Sequence, residues 1–278
     1  MLRLAVAASA AALVLAAAPS QAADAKLQAA VASAQRAPEN TARDAARHPV
    51  ETLTFWGLKP RQTVIEVSPG GGYWTEILAT YAKATGGTYV ATAADLANPK
   101  ISEGAKKARA AFEAQYADTA KYGTIRYAGF GAVSGPLGPA NSADLVITAR
   151  NIHNWAPNPP FLEKAMKDFH AVLKPGGVLA VEEHRADPKP EAANYATGYM
   201  SEASVIAAAE KAGFKLAARS EVNANPKDTK DHPFGVWTLP PSRWTTANGQ
   251  GSDPKFDRTK YDAIGESDRM TLRFVKPG

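Results

Sequence analysis

The sequence contains no cysteine among its 278 residues. This absence excludes a disulfide scaffold, a zinc site built on thiolates, a CxxC redox motif and a cysteine nucleophile. The chain also lacks a block of consecutive lysines and arginines, and its net charge is only +5. We therefore expect no nucleic-acid partner, because such partners bind to clustered positive charge.

Long apolar runs are missing except at the N-terminus. Residues 4–18 are apolar or small and carry no charge, Arg3 precedes them, and small residues stand at 20 and 22. This order is typical of a secretory signal peptide cleaved after Ala22, and the apolar stretch is short for a membrane span. The sequence thus predicts a signal peptide over 1–22, a periplasmic or secreted protein, and no stable membrane anchor after cleavage. An uncleaved anchor is the alternative.

Segments typical of strands alternate with segments typical of helices along the rest of the chain. The strand-like runs lie at 63–67, 88–92, 123–127, 143–149, 178–181, 214–222 and 270–275. Such alternation predicts a mostly parallel seven-stranded sheet with helices on both faces. We expect a helical N-terminal extension over 23–59 and a main domain over 60–278, with a long irregular loop at 223–267. Ligands bind such sheets at the carboxyl ends of the strands.

A glycine-rich turn follows the first strand-like run, in the segment VIEVSPGGGYW (64–74). Three consecutive glycines let the backbone bend sharply and approach a ligand closely, and the start of the next helix offers free N–H groups. The segment therefore indicates a binding loop for a nucleotide-like ligand. A tight turn that binds nothing is the alternative.

Three motifs together resemble class I S-adenosylmethionine-dependent methyltransferases. They are Glu66-x-x-x-Gly70-x-Gly72, the fourth-strand segment ADLVITARNIHNW (143–155), and LKPGGVLAVEEH (173–184) around the fifth strand. The resemblance covers about 60–275 in the same order. It implies a Rossmann-like methyltransferase sandwich that uses S-adenosyl-L-methionine as its cofactor. Together with the leader, it is similar to an exported group of methyltransferases, so we expect a small-molecule or exported acceptor.

The resemblance also implies which residues contact the cofactor. These are the residues of the glycine loop and one after the fourth strand: Glu66, Ser68, Pro69, Gly70, Gly71, Gly72, Tyr73 and Asn151. An acid is expected at the end of the second strand, where Asp95 arrives a few residues late. After the third strand, Phe130 stands where an acid is common, and it either stacks on the adenine or belongs to the core. These departures favour the alternative function, a non-catalytic exported Rossmann-like ligand-binding protein.

The loop after the fourth strand is the candidate reaction centre. His153 is predicted to take a proton from the acceptor, because imidazole titrates near neutral pH. Asn154 and Trp155 are predicted to position the reactants. The alternative is that His153 only hydrogen-bonds the loop backbone.

Two further catalytic candidates, Glu183 and His184, end the fifth strand. We interpret them as a hydrogen-bonded network that shapes the pocket and expect no metal. A metal site formed with His153 remains the alternative, since two imidazoles and a carboxylate suit zinc or iron.

The polar segment 223–244 contains Trp237 and Trp244. We interpret it as a lid with acceptor contacts, because long irregular segments often cover binding sites. A surface loop pinned by its tryptophans is the alternative.

Overall fold

The computed structural model describes residues 24–188 and 195–278. The predicted signal peptide lies outside the described residues. Within those two ranges, no helix has both the length and the apolar character needed to cross a bilayer.

Seven strands form one sheet at the centre of the molecule. They are β1 (Thr63–Val67), β2 (Thr88–Ala93), β3 (Arg126–Gly129), β4 (Ala143–Ala149), β5 (Leu173–His184), β6 (Lys215–Ser220) and β7 (Arg269–Val275). Their order is β3-β2-β1-β4-β5-β7-β6. Only β7 runs antiparallel to its neighbours, β5 and β6. The predicted mostly parallel, seven-stranded sheet is therefore confirmed, and the strand order reverses between β1 and β4.

Helices cover both faces of the sheet. They are α1 (Ala25–Val31), α2 (Pro38–Thr41), α3 (Asp44–Arg47), α4 (Pro49–Phe55), α5 (Tyr73–Thr85), α6 (Glu103–Gln115), α7 (Thr119–Tyr122), α8 (Ile152–Trp155), α9 (Pro159–Val172), α10 (Glu202–Lys211) and α11 (Thr259–Ile264). One core cluster joins the sheet to α9 and α10 through residues such as Phe169 and Val205. A second joins it to α1, α4 and α5 through Leu27, Leu53 and Ile77. The N-terminal helices thus pack directly on the main domain.

The local sequence explains these elements. Leu145, Val146 and Ile147 in β4 are all fully buried, as expected for a central parallel strand covered on both faces. Ser201 caps α10 by accepting a hydrogen bond from the backbone N–H of Ser204.

The starts of two strands differ by more than one residue from the sequence prediction. β5 begins at Leu173 rather than at 178, because the Lys-Pro-Gly-Gly segment stays extended and the N–H of Gly176 bonds the carbonyl of Lys276 at 2.9 Å. β3 begins at Arg126 rather than at 123, because Gly123 ends the short helix α7 with a φ of 70°. Neither shift moves the carboxyl ends of the strands away from the site.

Candidate active site

A cavity of about 240 Å³ lies at the carboxyl ends of β1 and β4, where the strand order reverses. It is lined by the glycine loop, the loop after β4, the end of β5 and part of the late irregular segment. The lining residues are Arg43, Glu66, Val67, Ser68, Pro69, Gly70, Gly71, Tyr73, Trp74, Ala149, Arg150, Asn151, His153, Asn154, His184, Val236, Trp237, Pro240, Pro241 and Ser242.

The glycine loop presents open backbone to this cavity. A Cβ atom added at Gly70 or Gly71 would have no heavy atom within 4 Å. Gly72, with a φ of +79°, differs because an added Cβ would lie 1.7 Å from the hydroxyl of Tyr116. Ser68 also has a positive φ, and its N–H donates to Oγ1 of Thr92 at 2.8 Å. Contacts with Tyr116 and Thr92 therefore hold the loop on the side away from the cavity, and its backbone is open on the side that faces the cavity.

Glu66 secures the base of this loop. Its side chain is buried and accepts hydrogen bonds from the hydroxyls of Thr75 at 2.9 Å and Tyr89 at 2.5 Å. Burial raises the pKa of Glu66 to about 7, although both hydroxyls act in the opposite direction. The carboxyl group thus ties β1 to α5 and β2 and borders the cavity.

Asn151 links β1 and β4, the two strands between which the strand order reverses. Its side-chain amide donates to the carbonyl oxygen of Val67 at 3.0 Å, which links the loop after β4 to the end of β1. The preceding residue, Arg150, has a φ of 60°, unusual for a residue with a side chain. This conformation turns the chain sharply between the end of β4 and α8.

Glu183 orients His153. It is fully buried on β5, and its carboxylate accepts from Nδ1 of His153 at 2.8 Å and from the backbone N–H of His153 at 3.2 Å. It also accepts from the backbone N–H of His184 at 2.9 Å. Because the carboxylate can only accept, it places the imidazole proton on Nδ1 and leaves Nε2 as a proton acceptor.

His184 lies beside His153, with 5.2 Å between the ring centroids. Its Nδ1 lies 2.5 Å from Oγ of Ser267. Burial lowers the pKa of His184 well below its usual range, and His153 and nearby guanidinium groups lower it further. His153, Glu183 and His184 each offer one atom that could bind a metal ion, and these three atoms lie within 4.8 Å of one another. Both oxygens of Glu183 already accept hydrogen bonds, so this carboxylate serves as an orienting group within the network.

Four arginines share two glutamates beside the cavity; the cluster consists of Arg43, Arg47, Arg150 and Arg269 with Glu182 and Glu266. Glu266 binds Nε of Arg43 at 2.8 Å, Nε of Arg47 at 3.0 Å and Nη1 of Arg269 at 2.6 Å. Burial alone would raise the pKa of Glu266, but the guanidinium groups outweigh it and lower the pKa to about 2. We name these six residues the arginine cluster.

Part of the late irregular segment lines the cavity. Trp237 lines the cavity, stacks on Trp244 at a centroid distance of 5.2 Å and approaches His153 edge-on at 5.9 Å. The segment is anchored by Asp228, which binds Nε2 of His232 at 2.8 Å and accepts from the hydroxyl of Tyr199 at 2.9 Å. Those two contacts are buried away from the cavity.

Most of the predicted site residues meet at this cavity. His153, Asn154 and His184 line it, as do Glu66, Ser68, Pro69, Gly70, Gly71, Tyr73 and Asn151, while Glu183 stands directly behind His153. Gly72 faces the packing against Tyr116 instead.

Three predicted residues lie elsewhere. Trp155 is buried and packs on Phe130 at 5.3 Å, because α8 turns its indole into the core. Phe130 in turn stacks on Phe169 at 5.9 Å, so both aromatics belong to the core cluster. Asp95 follows β2 and lies against Gly129, where one carboxylate oxygen accepts from the N–H of Ala97 at 3.0 Å. It is outside the cavity lining.

The sequence prediction missed Arg43. The only available signal was its spacing, four residues before Arg47, which places the two arginines on successive turns of the same helical segment. Their shared partner Glu266 lies more than two hundred residues further along the chain, so no local pattern reveals the pair.

Residues 39–218 match the family described as "Methyltransferase domain". The chain belongs to this methyltransferase domain family. S-adenosylmethionine is the expected cofactor of this methyltransferase. No curated protein sequence matches the chain.

Two solved structures are similar to this chain, and the first of them shares its fold. The [4+2]-cyclase SpnF is 15% identical, with a TM-score of 0.52, and the alignment covers 88% of this chain and 84% of that one. An S-adenosylmethionine-dependent methyltransferase from Aquifex aeolicus is 22% identical, with a TM-score of 0.48, over 66% of this methyltransferase and 87% of that chain.

The residues present fit the expected cofactor. Gly70 and Gly71 leave space at the point where a backbone-bound ligand would lie, and Asn151 and Glu66 border that space with polar groups. These residues of the methyltransferase would hold the methionine end of S-adenosylmethionine beside His153.

Proposed function

We propose that this protein transfers the methyl group of S-adenosylmethionine to a hydroxyl or amine of a small-molecule acceptor in the periplasm or outside the cell. The observation that carries the chemistry is the His153–Glu183 pair, which faces the same cavity as the glycine loop. The leader-like N-terminal sequence supports the exported location.

His153 is the general base of the proposed reaction. When bound, S-adenosylmethionine supplies a methyl group on a positively charged sulfur. Nε2 of His153 would accept the proton that the acceptor hydroxyl or amine gives up when it is methylated. The Glu183 carboxylate stabilises the resulting imidazolium through the 2.8 Å contact with Nδ1.

Neighbouring residues position the reactants and limit access of water. Asn154 is exposed to the cavity beside His153, and Asn151 is fixed by its bond to Val67. Trp237 of the late segment lines the cavity, and its ring lies in a T-shaped arrangement with the His153 ring at a centroid distance of 5.9 Å. Alignment of nucleophile and methyl carbon is the main requirement of methyl transfer, so rigid polar groups at this position favour it.

Calorimetric titration of the protein with S-adenosylmethionine and S-adenosylhomocysteine tests the cofactor. We expect binding of both, and no heat at millimolar ligand would contradict the proposal. Release of S-adenosylhomocysteine, measured with a panel of small hydroxyl and amine compounds, then tests transfer. His153→Ala should bind the cofactor normally and lose turnover. His170→Ala is the matched control, since His170 lies on α9 against Phe214. Cofactor binding without turnover on any panel member would favour the ligand-binding alternative.

A further inference from the structure

Arg150 lines the cavity, and no carboxylate in the described part of the chain lies within hydrogen-bond distance of its guanidinium group. Its Nε lies 3.9 Å from Glu182 and one Nη lies 4.0 Å from Glu266, both beyond hydrogen-bond length. None of the hydrogen bonds among the described residues uses its guanidinium, and Nε is buried without a partner. The other arginines of the cluster each bind Glu266 directly. Arg47 and Arg269 also have guanidinium nitrogens without partners, but neither residue lines the cavity. Arg150 is therefore the member of the cluster that both lines the cavity and makes no side-chain hydrogen bond among the described residues.

The charge around the cavity favours a negative ligand. The arginine cluster holds four guanidinium groups and two carboxylates, and neither carboxylate lines the cavity, whereas Arg43 and Arg150 do. Among the nearby acids, Glu183 is bonded to His153, and Asp44 and Glu76 face Arg36 at 2.6 and 3.8 Å. Glu66 borders the cavity but shares its carboxyl with Thr75 and Tyr89.

The backbone of Arg150 is held in a strained conformation. Its φ of 60° is the left-handed conformation, and its N–H is fixed to the carbonyl of Glu182 at 2.7 Å. Backbone strain of this kind in residues with side chains concentrates at functional sites. His153 follows three residues after Arg150 on the same loop, and both residues line the same cavity, so a group bound by Arg150 would share that cavity with the proposed base.

We propose that Arg150 binds an anionic group, a carboxylate or phosphate, on the methyl acceptor. This inference rests on the proposed function and narrows the substrate class to small acids that carry a hydroxyl or amine. Guanidinium groups suit such ligands, because two parallel N–H donors match two oxygens of a carboxylate or phosphate. With the acid anchored at Arg150, the hydroxyl or amine of the same molecule reaches His153.

Binding of benzoate and benzamide tests this inference. The two probes share their shape and differ in charge, and each is titrated into the free protein and into protein saturated with S-adenosylhomocysteine. We expect benzoate to bind roughly tenfold or more tightly than benzamide, and Arg150→Gln to remove that preference. Arg150→Lys should keep part of it, since lysine retains the charge without the paired donors. Arg126→Gln is the control, because Arg126 is exposed on β3.

The two possible sources of the anion give different results. If Arg150 binds the acceptor, Arg150→Gln weakens the binding of benzoate and changes the affinity for S-adenosylhomocysteine less than about twofold. If the variant weakens the binding of S-adenosylhomocysteine and leaves the binding of benzoate unchanged, Arg150 holds the carboxylate of the cofactor and the inference is wrong. Equal binding of benzoate and benzamide to the wild type also overturns it. Failure of S-adenosylhomocysteine to bind, with benzoate binding still dependent on Arg150, contradicts the proposed methyl transfer but supports the anion site.

Discussion

The carboxylate of Glu183 accepts a 2.8 Å hydrogen bond from Nδ1 of His153, and both side chains are buried. This contact fixes the ring and its tautomer and lets Glu183 stabilise a proton that arrives at Nε2. The geometry is that of a base with an orienting carboxylate, as found in many transferases and hydrolases. It makes Glu183 a positioning residue, because it acts through His153.

Replacement of Glu183 by Gln should lower turnover by roughly 10²-fold, because a neutral amide does not stabilise the imidazolium. The affinity for S-adenosylhomocysteine should not change. Glu183→Asp should recover part of the rate, and the pH at which the rate reaches half its maximum should shift in Glu183→Gln. A rate and pH profile equal to the wild type in Glu183→Gln would show that the contact is structural only.

Glu66 makes stability depend on pH. Its pKa is raised from 4.5 to about 7 by burial, so its contribution is fully present below pH 4.5 and is lost as the pH rises through about 7. The loss amounts to roughly 3 kcal/mol, since each unit of pKa corresponds to about 1.4 kcal/mol. Urea unfolding between pH 4.5 and 8 should show this decline in the wild type and a flatter profile in Glu66→Gln. An equal decline in both proteins would assign it to another group.

The contribution of Glu266 to stability depends on pH in the opposite direction. Its pKa is lowered from 4.5 to about 2, so its contribution is present above pH 4.5 and is lost as the pH falls through about 2. Glu266→Gln should destabilise the protein at pH 7 by about 3–5 kcal/mol, because it leaves buried arginines without their shared partner. Glu163→Gln is the control, since Glu163 binds two exposed lysines on the surface. Similar free energies of unfolding for the two variants would contradict the role of Glu266.

Two adjacent glycines should respond differently to substitution. Gly72→Ala should destabilise the fold by about 2–4 kcal/mol, because its Cβ would overlap the Tyr116 hydroxyl and its φ is positive. Gly71→Asp meets no neighbouring atom, so its melting temperature should stay close to that of the wild type. It should nevertheless lose S-adenosylhomocysteine binding, because the new side chain occupies the open side of the loop. Retained binding in Gly71→Asp would place the cofactor elsewhere.

The sheet was predictable because its strands carry strong local patterns. Leu145 to Ile147 form an uninterrupted apolar run, and the glycines after β1 mark a turn with few other solutions. The prediction that Trp155 positions the reactants was wrong, since closeness to His153 in the sequence does not tell which way a side chain points. Of the two alternatives for Phe130, the structure shows the position in the core. The arginine cluster was beyond sequence reasoning, because Arg43 and Glu266 meet only after the whole sheet has formed.

The role of His153 as the base of methyl transfer is central to the proposed function. The direct test is the rate of S-adenosylhomocysteine release by His153→Ala, measured at saturating S-adenosylmethionine with an acceptor that the wild type methylates. We expect a rate lower by roughly 10²-fold or more, with cofactor affinity unchanged and His170→Ala as active as the wild type. A His153→Ala rate within about twofold of the wild type would contradict it.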